Sequence, residues 1–161
     1  MRQEMEKFLQ LCEDYAATKA AFTAAEQGAK AISEAVAERI QADRAQTAER
    51  VAELERLVQD GSRPASARRI WQAELDQLKT RTFCATPDEW KAFDAEMLAA
   101  QEAVADFARL QREIREAISS VEAEIKKMRA QTLGDPATGL WENRLEGVRK
   151  SFKPLCREVG V

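Results

Sequence analysis

The residues of this chain best suited to chemistry are cations set around aromatic side chains. Residues 61–86 hold five basic and two acidic side chains, and Arg63, Arg68, Arg69, Lys79 and Arg81 are distributed about Trp71. Guanidinium groups beside an indole hold phosphates and stack on bases, so this pattern suggests nucleic-acid binding. Against it stands a net charge of -3, because a dedicated nucleic-acid binder carries a broad basic field. Glu49, Glu53 and Glu55 also offer the arginines local partners, and Trp71 can fill a helix seam against Val51. A second group lies in "TRTFCATPDEW", residues 80–90, where Phe83 and Cys84 follow Arg81 in a stretch that breaks a helical pattern. An exposed aromatic on a rigid support is a common anchor for a protein partner. The other reading of Phe83 folds it back over Ile40 to cover the break.

Catalysis has little to draw on. Histidine is absent, which removes the commonest general base, and there is no Gly-rich phosphate loop, CxxC or GxSxG motif. Carboxylate pairs such as Glu53 with Glu55 and Glu122 with Glu124 read as solvated helix faces. Cys12, Cys84 and Cys156 are an odd, widely spaced set, read as reduced packing thiols with no converging metal ligands. Cys84 has cationic neighbours but no base to activate it. The expectation is a non-enzymatic chain that uses no metal or cofactor.

What positions these residues is helix. Charged residues make up 33% of the chain, aromatics 6%, with Gly only 6 and Pro only 4, a profile of long helices. "DGSRP" at 60–64 offers Gly61 as a helix stop, Ser62 as an N-cap and Pro64 in the next first turn, a tight reversal. "TPDE" at 86–89 is a capping box in which Thr86 and Glu89 serve each other's amides. Gly134 and Pro136 stop the following helix, and "GLWENRLEGVRKSF" starts a shorter one that Pro154 limits.

Apolar residues from Trp90 step by three and four through Phe93, Met97, Ala100, Val104, Phe107, Gln111, Ile114, Ile118, Val121, Ile125 and Met128, a sustained heptad seam. The first helix repeats the rhythm from Phe8 to Val36. An antiparallel pairing of positions whose numbers sum to 129 sets Phe8 on Val121, Tyr15 on Ile114, Thr18 on Gln111, Phe22 on Phe107, Ala25 on Val104 and Val36 on Phe93. The polar Thr18 and Gln111 then meet as a register-fixing layer. Near Gly61 the sum becomes 122, placing Trp71 on Val51 and Leu75 on Thr47, so residues 80–86 are one surplus heptad looped out in phase. Trp141, Leu145, Val148 and Phe152 share one face of the tail, Leu110 and Ala117 widen the stripe it covers, and Gly147 permits close approach.

The predicted fold is all-α: a long antiparallel helical hairpin, a coiled-coil arm on a three-helix base, its returning helix interrupted by the looped-out heptad at 80–86. As one elongated domain over 1–161 it divides into a first helix 1–60, a tip helix 62–79, the loop 80–86, a return helix 87–132 and a tail helix 139–153. The first helix would span about 87 Å. With no apolar run of membrane-spanning length and a charged start, "MRQEMEKFLQ", a cytoplasmic protein is expected. Because the seam is satisfied within one chain, a monomer is expected, with a weak or swapped dimer as the alternative. The function expected is a protein-binding module, an adaptor or an inhibitor of a larger protein of phage or mobile-element type. It would act through the arm tip or the 80–86 loop, with Arg63, Arg68, Arg69, Trp71, Arg81 and Phe83 as partner-binding residues. The alternatives are nucleic-acid binding at the basic tip and an acidic helix face acting as a nucleic-acid mimic.

Overall fold

The computed structural model describes residues 1–131 and 136–161. Its elements are α1 (Arg2–Gln59), α2 (Ala65–Lys79), α3 (Pro87–Gln131), α4 (Pro136–Ser151) and α5 (Lys153–Val159), with no strand among the described residues. The all-α hairpin is therefore the fold, and residues 80–86 stand outside both flanking helices as expected. The chain forms two compact units, one from Met1–Glu26 with Met97–Val161 and one from Gln27–Glu96.

In the first unit α1 and α3 run antiparallel around Met5, Phe8, Leu11, Tyr15, Ile114, Ile118 and Val121, all buried. Phe22 meets Phe107 edge-on with ring centroids 5.9 Å apart, the layer expected from the sum of 129. The polar layer differs. Gln111 Nε2 donates to the Tyr15 hydroxyl at 3.3 Å rather than pairing with Thr18, and that hydroxyl donates to Glu158 Oε2 at 3.3 Å. Val104 and Met97, expected in the seam, are 53% and 39% exposed, whereas Ala103, Leu110 and Ala117 are buried. The helix has turned the 103/110/117 column inward, a rotation that buries Leu110 and leaves the Gln111 amide half-buried beside a hydroxyl. Full burial of that amide without a partner is the costlier arrangement.

The tail is longer than Pro154 suggested. α4 ends at Ser151, the backbone breaks at Phe152 (φ -110°, ψ 32°), and Pro154 sits in the first turn of α5. Proline lacks an amide that a first turn does not need, so it starts this helix instead of ending the chain's helical run. α5 brings Leu155, Cys156 and Val159 into the core. It is held there by Lys19 and Tyr15 on Glu158 and by Arg115 Nε on the Val159 carbonyl at 2.8 Å. Trp141, Leu145, Val148 and Phe152 do pack on this core. Gly147, expected to permit a close approach, faces open space: a Cβ there meets nothing within 4 Å. α4 begins at Pro136, three residues before the expected 139; the stop assigned to Gly134 lies outside the described residues.

In the second unit the turn after α1 is built on Asp60. Its Oδ1 accepts from the Ser62 amide at 3.0 Å and the Ser62 hydroxyl at 2.6 Å. Ser62 is thereby used up, and Pro64 holds the N-cap of α2 with no side-chain cap, so α2 starts at Ala65 and not at 62. Leu54 and Leu75 are buried with Thr47. Arg50 grips Glu74 through Nε at 2.8 Å and Nη2 at 3.1 Å, and Lys79 reaches Glu55 at 2.7 Å, fixing the antiparallel order.

Candidate docking site at the helix interruption

α2 closes on its own residues. The Thr80 amide donates to the Asp76 carbonyl at 3.3 Å, and its hydroxyl lies 3.0 Å from the Gln77 carbonyl. α3 opens on the capping box read from the sequence, with the Thr86 amide on Glu89 Oε2 at 2.7 Å and the Glu89 amide on Thr86 Oγ1 at 3.2 Å. Both ends of the break are therefore satisfied locally.

A clamp ties the break to α1. Arg39 donates from Nε to Glu89 Oε1 at 2.8 Å and from Nη2 to Oε2 at 2.7 Å. The same Nη2 reaches the Cys84 carbonyl at 3.1 Å, and Nη1 reaches Asp43 at 3.1 Å. Hydrogen bonds from Arg39, then from the Thr86 amide, hold the Glu89 carboxyl down to about 2. Glu89 in turn raises Arg39.

Beside the clamp is a recess of about 410 Å³ between α1 and the start of α3. Ile32, Val36 and Ile40 form one wall, Trp90 and Phe93 the other, and Cys84 and Ala85 close one end. Trp90 stands 55% exposed, its ring edge-on to Phe93 at 6.2 Å between centroids. One turn beyond Ile40, Arg44 lies over the Phe83 ring at 5.7 Å, and Arg81 lies over it at 5.2 Å. Phe83 is half-buried between two guanidinium groups, a cation-π arrangement that holds both in place. Arg81 also donates to the Thr47 hydroxyl at 3.5 Å. Neither Arg44 nor Arg81 has a carboxylate partner among the described residues.

No protein family, no curated protein and no solved structure matches this chain. The functional reading therefore rests on the geometry of the chain itself. Among the described residues no group of His, Cys, Asp or Glu is disposed to hold a metal ion, and no helix is long and apolar enough to cross a membrane.

The six residues singled out in the sequence do not form one site. Arg81 and Phe83 come together with Arg44. Arg63 is taken by Asp60 at 3.2 Å. Arg68 is half-buried, its Nε enclosed without a hydrogen-bond partner, Arg69 is exposed and Trp71 is half-buried in α2. Arg68 lies about 17 Å of helix before Lys79, too far along α2 to join the group at Phe83. Sequence reasoning missed Arg39, Arg44 and the recess, having assigned Ile32, Val36, Trp90 and Phe93 to the seam. A signal was present: in the register that sums to 129, Trp90 falls opposite Arg39, a cation that a buried seam layer does not take in without a charged partner.

Proposed function

We propose that this chain is a protein-binding helical module, an adaptor or inhibitor, that docks a partner at the interruption between α2 and α3. One observation carries the reading: an apolar recess sits beside an exposed Trp90 at the place where the helix breaks and restarts. Binding hot spots favour such a combination of a rigid aromatic and a desolvatable pocket. The tip supports docking less well, because Arg63 is spent on Asp60, and Arg50 and Lys79 on Glu74 and Glu55. Pull-down with the intact chain, with Trp90→Ser, and with Arg63, Arg68 and Arg69 changed together to glutamate tests it. The expected result is loss of partner with Trp90→Ser and retention with the triple change. The reverse pattern would move the site to the tip.

Nucleic-acid binding is the second reading, favoured by Arg68 and Arg69, which have no ionic partner among the described residues. It predicts retardation of DNA or RNA at low salt that weakens steeply as salt rises.

A further inference from the structure

From the arrangement of charge around the recess we infer that its occupant is an acidic amphipathic helical segment, with apolar side chains in the recess and carboxylates on Arg44 and Arg81. This rests on the docking reading above and adds the partner's chemistry. Ile32, Val36, Ile40 and Arg44 follow one another at four-residue steps along one side of α1, about 18 Å of helix from first to last. A site of that reach accommodates two to three turns of a docking helix, whereas a small molecule would use only the recess. The first three positions are apolar and line the recess, and the fourth is a cation.

Charge then selects the sign. Of the three arginines at this end, Arg39 is already bound by Glu89, Asp43 and the Cys84 carbonyl. Arg44 and Arg81 are instead held by the face of Phe83, which orients a guanidinium without neutralising it. Two oriented guanidinium groups without a carboxylate partner among the described residues, Arg44 one turn past Ile40 and Arg81 set against Thr47 one turn further on, match carboxylates that follow the apolar anchors along the partner helix. Guanidinium to carboxylate is a directional, charge-assisted pairing. A basic segment would meet two like charges at the same points.

The test uses three dye-labelled synthetic helical peptides and the full-length chain, read by fluorescence anisotropy at fixed salt. One peptide carries a leucine and phenylalanine stripe flanked by glutamate. The second replaces the glutamates with lysine, and the third keeps glutamate but has alanine for the stripe. The acidic striped peptide is expected to bind about tenfold or more tightly than the other two. Arg44→Glu with Arg81→Glu should transfer the preference to the lysine peptide. Trp90→Ala, at an exposed position and with its helix content checked against the parent by circular dichroism, should weaken both striped peptides. Striped peptides that bind without preference for sign, or prefer lysine, overturn this inference and leave the docking reading standing. Striped peptides that bind Trp90→Ala as well as the parent overturn the assignment to the recess. Failure of every peptide overturns both. Light scattering that shows two chains, reduced to one by Trp90→Ala, would place a second copy in the recess and overturn it. Oligonucleotide retardation abolished by the double charge reversal would assign the pair to phosphate, with the same consequence.

Discussion

Arg39 and Glu89 meet through two parallel hydrogen bonds of 2.8 and 2.7 Å, joining the side of α1 to the first turn of α3. Glu89 also accepts from the Thr86 amide, so one carboxylate caps a helix and fastens it to its neighbour. This double use makes Glu89 the most informative titrating group near the candidate site.

Its pKa is lowered from 4.5 to about 2 in the folded chain. A carboxyl depressed on folding adds stability above its unfolded pKa, and that stability is lost as pH falls through the folded value. The difference in urea midpoint between the parent and Glu89→Gln should be full at neutral pH and should shrink between about 4.5 and 2. Comparing the two chains cancels the other lowered carboxyls, Glu4, Asp60, Glu74 and Glu158. A difference constant across that range would show that Arg39 does not engage Glu89 in solution.

Tyr15→Phe removes a hydroxyl that accepts from Gln111 and donates to Glu158. A loss of about 1 kcal/mol is expected in chemical denaturation. If Gln111→Leu is made first, the Tyr15→Phe effect should become smaller, since one of the two partners is gone; an undiminished effect would refute the Gln111 contact.

Gly28→Ala places a Cβ 2.7 Å from Cδ of Glu96. The obstacle is the free end of a flexible side chain, which can swing aside. The helix then gains up to about 1 kcal/mol from losing a glycine. A higher melting temperature is expected, with a larger gain in a Glu96→Ala background, and a lower one in both would mean that the space is closed by something stiffer than Glu96.

Thiol chemistry should divide the cysteines. Cys84 is exposed while Cys12 and Cys156 are buried; burial pushes Cys12 up to about 12 and raises Cys156. A thiol reagent at mildly alkaline pH should modify Cys84 alone in the folded chain and all three cysteines after denaturation. Occupation of the recess should protect Cys84, which lines it.

What could be read in advance was what four or seven neighbouring residues decide. The Thr86–Glu89 box formed because its two hydrogen bonds are local, and the Phe22–Phe107 layer formed because both half-buried rings lie on the heptad seam and still reach each other with Leu110 turned inward. The flank beside that core was not legible. Heptad counting treats Gln111 and Leu110 as neighbouring choices, and only the energetics of burying an amide against a leucine picks the column. Pro154 was ambiguous for a related reason, since a proline that ends one helix is equally suited to begin another. The candidate site was half visible: Phe83 and Arg81 stood out by type, but Arg44 is an ordinary exposed-face arginine until the loop folds back and lays Phe83 beside it.

The self-contained ends of α2 and α3 give the 80–86 stretch a use in protein engineering. Thr80 and the Arg81 amide close one helix and Thr86 starts the next without calling on Thr82, which is exposed. Foreign sequence inserted at Thr82 should add loop-closure entropy of about 0.6 kcal/mol for each doubling of length, together with any loss of the Arg81–Phe83 contact that it separates. The chain thereby offers a ready graft point for displaying a peptide on a helical scaffold.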